Sequence, residues 1–238
     1  MAITANHLIA DIRGIASSGG NPNEFKISDR QILYWAEQTR SILIAQALAK
    51  KDDIHDSWIQ FIGCVELECV DESECCLVDT GCYVLKSLKQ IPGTIDGWID
   101  NSIVSVTTLA GNTISKSNHV RQKYNKYNKY TSKQRGWFLK DGYLYILNDI
   151  QLTYVNVAGL FEFPSELENF VACDKQKCWT YDSNYPITAN MASVITDIVV
   201  KTKVNPFMQF PQDTTNNADG STPQQAIQNK QANTNSTQ

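Results

Sequence analysis

One short stretch of the sequence has the residue types of a metal site. Asp52, Asp53, His55 and Asp56 place three carboxylates and an imidazole within five residues, and such groups can bind divalent cations. Asp also favours turns, because its side chain bonds to nearby backbone groups. We therefore interpret the stretch as a turn and predict no metal site.

The cysteines are a second candidate for chemistry. There are seven, namely Cys64, Cys69, Cys75, Cys76, Cys82, Cys173 and Cys178. No pair has the CxxC spacing of a zinc ribbon, and an odd number without a secretion signal argues against a disulfide framework. Cys64 and Cys69 lie in an apolar stretch, where a thiol behaves as a small hydrophobe. The pattern favours buried free thiols.

A basic and aromatic segment occupies the middle of the chain, where no acidic residue occurs between Asp100 and Asp141. Its candidate contact residues for DNA or for a neighbouring subunit are Arg121, Lys123, Lys126, Lys129, Lys133 and Arg135. Tyrosines interleave with them, as in proteins that hold single strands by charge and stacking. Lysines also bind duplex phosphates without reading sequence, and a solvated loop has the same composition.

A further interpretation pairs this basic segment with an acidic one. Glu66 and Glu68 begin an acidic run, and in a head-to-tail ring one copy's basic segment can meet the next copy's acidic strand. The net charge of the whole chain is −4, which argues against a generally basic nucleic-acid binder.

Motifs of known catalytic chemistry are absent from the sequence. It contains no GxSxG, HExxH or GxGxxG, and His7, His55 and His119 are scattered along the chain. We therefore predict a protein that is not an enzyme, with no catalytic residues and no cofactor.

The element that must organise the chain is a long amphipathic helix from Ile27 to Lys50. Ser28 and Gln31 have the spacing of a capping box. Apolar residues recur at helical spacing and cover more than half of the circumference, so the helix packs in a core, in a subunit interface, or in both. The residues predicted for a subunit interface are Trp35, Ile42, Leu43, Ile44 and Leu48, with Glu66 and Glu68.

The remaining patterns predict an α+β fold. Thr4 and Thr188 can cap helices near the two ends of the chain, and Ser165 can cap a short one. Between the end helices, residues of period two and turn signals indicate strands, with Asp141-Gly142 suited to a hairpin turn. We expect N- and C-terminal helices that pack together, with an inserted antiparallel β module. The predicted parts are residues 1–55 (helical), 56–160 (β module), 161–211 (completing the helical core) and 212–238 (a polar tail).

The tail after Pro211 consists mainly of Gln, Asn, Thr, Ser and Ala. Alone, such a composition cannot bury enough apolar surface to become ordered. We therefore predict that a partner orders it, with Pro211, Thr222 and Ile227 as candidate docking residues.

The sequence contains no apolar run long enough to cross a membrane and no basic and apolar leader at its start. Apolar residues make up 42% of the chain, enough for a sizeable core. We expect a chain that is made and kept in a cytoplasm.

Several strings resemble a family of structural proteins of crAss-like tailed phages. They are ITANHLIADIRGIASSGGNPNEFKISDRQILYW, CVELECVDESECC, FLKDGYLYI and YPITANM, and the resemblance covers about Ile3 to Pro211. It implies a neck or ring protein of the head-to-tail adaptor kind in the virion, assembled in the host bacterial cytoplasm.

The same resemblance implies the partners. They are further copies in a ring of twelve, the portal protein, other neck or tail rings, and double-stranded DNA that passes without sequence preference. Alternatives are a tail-tube or gatekeeper ring of the same particle, and a nucleic-acid-binding module.

Overall fold

The computed structural model describes residues 3–17, 27–70, 84–95, 102–117, 129–130, 134–149 and 151–208. The α-helices in these ranges are α1 (Ala5–Ala16), α2 (Asp29–Ala49), α3 (Ala189–Val199) and α4 (Asn205–Met208), with a π-helical turn Val200–Val204 between the last two. The strands are β1 (Gln60–Val70), β2 (Val84–Ser87), β3 (Ile103–Thr108), β4 (Thr113–Lys116), β5 (Gly136–Lys140), β6 (Tyr143–Leu147) and β7 (Tyr154–Gly159). Short 3-10 helices span Asp56–Trp58 and Pro164–Asn169. None of the helices in the described ranges combines the length and apolarity that crossing a membrane requires.

Side-chain caps begin the three longer helices where the sequence predicts them. The hydroxyls of Thr4 and Ser28 each accept a hydrogen bond from the amide three residues further on, both at 3.2 Å. Thr188 does the same at 3.3 Å. These bonds satisfy amide groups that have no partner inside the helix, so the three predicted helix starts are confirmed.

The seven strands that the structure describes close into a barrel in the order β1-β2-β6-β5-β4-β3-β7. Neighbours pair antiparallel, except that β4 runs parallel to β5. The expectation of a purely antiparallel module is therefore wrong at this pair. Parallel neighbours need a crossover connection rather than a tight turn, and 19 residues separate β4 from β5.

The hairpin of β5 and β6 has the predicted turn. Asp141 and Gly142 have φ angles of 53° and 78°, the left-handed values that a two-residue type I′ turn needs. Lys140 pairs with Tyr143 across the turn. The local sequence therefore sets the register of this part of the barrel.

One hydrophobic cluster joins the barrel interior to the helices. It includes Ile62, Val106 and Ile146 from the strands and Ile12 and Ile32 from the helices. Helices α1, α2 and α3 contact one another. The start of the described chain also meets the segment before α3, because the Tyr185 amide donates to the Ile3 carbonyl at 2.8 Å.

The cysteine prediction is wrong for one pair. Cys64 and Cys173 form a disulfide with their Cα atoms 5.2 Å apart, at the point where β1 shifts register between Ile62 and Val65. The segment after the barrel returns beside β1, which spacing along the chain cannot reveal. Among the described residues, Cys69 and Cys178 are free; Cys75, Cys76 and Cys82 lie outside them.

Candidate subunit-contact site

The inward side of α2 carries a fully buried arginine. Arg40 is 0% exposed, and its guanidinium donates from Nε to the Pro186 carbonyl and from one terminal nitrogen to the Phe161 carbonyl, both at 2.8 Å. Its other terminal nitrogen donates to the Trp58 carbonyl at 3.2 Å. Burial lowers the pKa of Arg40 to about 10, so the side chain stays charged at neutral pH. The Arg40 side chain therefore connects α2 to the segment before β1, the segment after β7 and the segment before α3.

Glu37, one helical turn earlier, is the second buried charge. Its two carboxylate oxygens accept from the Ser165 amide at 2.8 Å and the Ser165 hydroxyl at 3.0 Å. Burial raises the pKa of Glu37 to about 7, against these hydrogen bonds and nearby Arg40. Ser165 therefore does not cap the helix predicted there; it is held by Glu37 inside a 3-10 helix that begins at Pro164.

The buried stripe of α2 differs from the stripe that helical spacing predicts, which consists of Ile32, Trp35, Thr39, Ile42, Leu43, Gln46 and Ala49. Ile32, Ala36, Arg40 and Ile44 are all 0% exposed and follow each other at intervals of four residues, so they share one face of the helix. The prediction omitted Arg40 because a charged residue reads as solvent-exposed. The sequence nevertheless indicates that Arg40 is buried, because Ala36 and Ile44 are apolar and lie four residues before and after it.

The predicted interface residues of α2 fall into three groups. Ile44 lies in a core cluster with Ile95 and Leu160, so its surface is used within the chain. Trp35, Leu43 and Leu48 are half-buried against the core. Ile42 is 58% exposed. It is therefore the apolar side chain of this set that can contact another copy.

Sequence reasoning missed a companion to Ile42. Tyr34 lies two helical turns earlier and is 44% exposed. Its ring stacks on Phe163 with centroids 5.7 Å apart, and its hydroxyl accepts from Gln38 at 2.8 Å. Tyr34, Gln38 and Ile42 lie at intervals of four, and we call them the outer face of α2.

The acidic residues predicted for an interface lie on the outside of the barrel. Glu66 and Glu68 are exposed and alternate with the buried Val65 and Leu67 along β1. Lys86 on β2 is in register with Glu68. Part of the acidic charge therefore faces a cation of the same chain.

The structure describes two of the six predicted basic contact residues. Lys129 is exposed, and its neighbour Tyr130 is 87% exposed. Arg135 forms an ion pair with Asp149 at 2.6 Å, so its charge is paired within the chain. Arg121, Lys123, Lys126 and Lys133 lie outside the described residues, as do Pro211, Thr222 and Ile227 of the tail.

The candidate metal stretch has irregular backbone at residues 52–55 and enters a 3-10 helix at Asp56. His55 caps the 3-10 helix Asp56–Trp58, with its Nδ1 accepting from the Ser57 amide at 3.1 Å. No group of three or more metal-ligating side chains occurs within the described residues.

Taken together, these features describe a chain whose buried Glu37 and Arg40 hold its own parts together and whose outer surface carries exposed apolar and charged groups. The sequence matches the crAss ring protein 2 family, described as phage tail ring protein 2, over residues 7–230. The chain therefore belongs to this family of structural ring proteins of the virion. No curated protein matches it.

Proposed function

We propose that the protein forms an adaptor ring of the head-to-tail connector, below the portal, around the conduit through which DNA passes. The observation that carries this proposal is the match to a ring-protein family over nearly the whole chain. The ring contains twelve copies and binds the portal on one side and further neck or tail rings on the other. Its work is the burial of subunit interfaces rather than catalysis.

Neighbouring copies contact each other through two different patches, because a head-to-tail interface joins unlike surfaces. The outer face of α2 contributes Ile42, whose exposed side chain becomes buried on association. The acidic outside of β1, with Glu66 and Glu68, faces the basic segment of the next copy. Each exposed ion pair contributes little alone, but repeated pairs help to set the register of the ring.

The charges of the chain are the basis for proposing that DNA passes through the ring. Lysines such as Lys129 touch passing phosphates without reading sequence, whereas the net charge of −4 keeps the duplex from adhering. Strong duplex binding by the isolated ring at physiological salt would contradict this part of the proposal.

Native mass spectrometry of the purified chain, alone and with the portal of the same phage, tests the assignment. We expect a twelve-fold species in complex with the portal. A chain that remains monomeric in both conditions would contradict the adaptor.

The variant Ile42→Lys tests the interface. We expect it to remove the ring species and leave the free energy of unfolding within about 0.5 kcal/mol, as is usual for surface changes. Ile15→Lys is the matched control, because Ile15 is a similarly exposed isoleucine, at 56%, on α1. If both variants form rings equally well, the outer face of α2 is not the contact between subunits.

A second candidate is a tail or gatekeeper ring of the same particle, which the word "tail" in the family description favours. Such a ring would bind tail proteins in pull-down experiments and leave the portal unbound.

A further inference from the structure

The outer side of the barrel places an exposed aromatic residue near an acidic one. Phe61 and Glu66 of β1 are five residues apart, an odd spacing that puts side chains on opposite faces of a regular strand. Phe61 lies in register with Ala158 of β7. Glu66 lies in register with Tyr154, only four residues from Ala158, so β1 contains one extra residue here. Such a β-bulge re-aims the side chains that follow it, and both Phe61, at 70%, and Glu66 are exposed.

Two more exposed side chains lie next to this pair. Tyr154, the register partner of Glu66, is 38% exposed. On β3, Val104 is 47% exposed and directly precedes the residue in register with Ala158, the partner of Phe61. A surface across β1, β7 and β3 thus has an apolar end and an acidic end. We call it the barrel wall, and it consists of Phe61, Val104, Tyr154 and Glu66.

The outer face of α2 also has an apolar end and a charged end. Ile42 is 58% exposed at one end. Arg30 is exposed four residues before Tyr34, so it continues the outer face by one helical turn at the other end. Neither Arg30 nor Glu66 forms an ion pair within the part of the chain that the structure describes. The two surfaces therefore present exposed charges of opposite sign, each at the end away from the apolar residue.

The dimensions of the two surfaces agree. Arg30 and Ile42 are twelve residues apart, which corresponds to about 18 Å along an α-helix. Glu66 and Phe61 are five residues apart, which corresponds to roughly 16 Å along a strand. The length of an arginine side chain covers the difference. Ile42 can therefore lie against Phe61. In the same position, Arg30 reaches Glu66.

The groove between α1 and α3 also combines an acidic and an apolar side chain, but its dimensions do not fit. Asp11 and Ile15 line this groove, and both are exposed. They are four residues apart on α1, which is about 6 Å along the helix. Arg30 and Ile42 are three times as far apart, so they cannot contact both groove residues at the same time.

We propose that the outer face of α2 in one copy packs on the barrel wall of the next copy. Ile42 lies against Phe61 and Val104, where apolar side chains become buried. Arg30 forms an ion pair with Glu66. Because the two surfaces are different and belong to the same chain, each copy uses one of them on each side, as a closed ring requires. The proposal rests on the proposed function only in that the chain forms a ring, and it holds for an adaptor ring and for a tail ring.

Charge reversal in the full-length chain tests the contact. Arg30→Glu and Glu66→Lys each bring like charges together, so we expect either variant alone to weaken ring formation about tenfold at low salt. The double variant restores opposite charges across every contact, because each copy carries both surfaces. It should therefore recover most of the loss. Sedimentation of the wild type and the variants, with the portal added where the wild type needs it, measures the effect.

Arg30→Glu combined with Asp11→Lys is the matched control. It makes the same two changes of charge, but the new lysine lies in the groove between α1 and α3. This variant should remain as weak as Arg30→Glu alone. At the apolar end, Phe61→Lys should remove the ring species, whereas Ile15→Lys should keep it.

The outcomes separate this contact from the proposed function. A wild-type chain that forms no ring, alone or with the portal, would overturn both. If the wild type forms rings, the contact alone is overturned by single reversals without effect, by a double variant that stays weak, or by rescue through Asp11→Lys.

Discussion

Helix α2 and strand β1 both place charged residues within an apolar pattern, but the fold uses them in opposite ways. Glu37 and Arg40 of α2 are 2% and 0% exposed and bond to segments distant in sequence. Glu66 and Glu68 of β1 are exposed on the barrel. A charge can be buried only where the fold supplies partners for it. The buried side chains of α2 thus connect parts of the subunit, whereas Glu66 and Glu68 of β1 lie on its surface.

The largest expected effect on stability comes from replacing Arg40, the buried charge on the inward side of α2. Arg40→Met should lower the free energy of unfolding by about 3–5 kcal/mol, because three buried carbonyls lose their donor. Urea unfolding measures it. Arg30→Met is the control, since Arg30 is exposed on the same helix and should change stability by less than about 0.5 kcal/mol. Similar values for both variants would mean that Arg40 does not hold the segments together.

A smaller effect should follow from pH. Because the pKa of Glu37 rises from 4.5 to about 7 on folding, the folded state binds its proton more tightly than the unfolded one. The contribution of this group is therefore greatest below pH 4.5 and is lost as the pH rises to 7, by about 2–3 kcal/mol in the free energy of unfolding.

Glu37→Gln isolates that contribution, since an amide can keep the bonds to Ser165 without titrating. We expect the difference in stability between the variant and the wild type to grow in favour of the variant from pH 4.5 to pH 7. Chemical unfolding at several pH values measures it. A difference that stays constant with pH would show that Glu37 is not the titrating group.

The smallest effect on stability should come from replacing the exposed acidic residues of β1. Glu66→Gln with Glu68→Gln should change the free energy of unfolding by less than about 1 kcal/mol, as expected for exposed charges. Ring formation at low salt should nevertheless weaken, and added salt should remove the difference. Sedimentation at two salt concentrations measures this, with Glu168→Gln as control, because Glu168 pairs with Lys177 of its own chain. Unchanged assembly would mean that Glu66 and Glu68 do not lie in the subunit interface.

Local signals in the sequence were sufficient for much of the fold. The caps at Thr4, Ser28 and Thr188 and the Asp141-Gly142 turn act over a few residues, so their chemistry is readable from the chain. Of the candidate contact site, Ile42 was among the residues predicted for a subunit interface, whereas its companion Tyr34 was not.

Features that depend on distant partners were not readable. Arg40 appears as a surface residue until Trp58, Phe161 and Pro186 are known to converge on it. Cys64 appears as a buried thiol until Cys173 is found beside β1. The parallel pairing of β4 with β5 likewise depends on where a long connection returns.

The sequence by itself thus determined where the three longer helices begin, which residues form the turn between β5 and β6, and the family to which the chain belongs. Only the tertiary structure decided which charges are buried, which cysteines meet and which apolar residues remain outside. The physical reason is range: capping, turn geometry and side-chain alternation act between near neighbours, whereas burial and pairing depend on segments more than a hundred residues apart, such as Arg40 and Pro186.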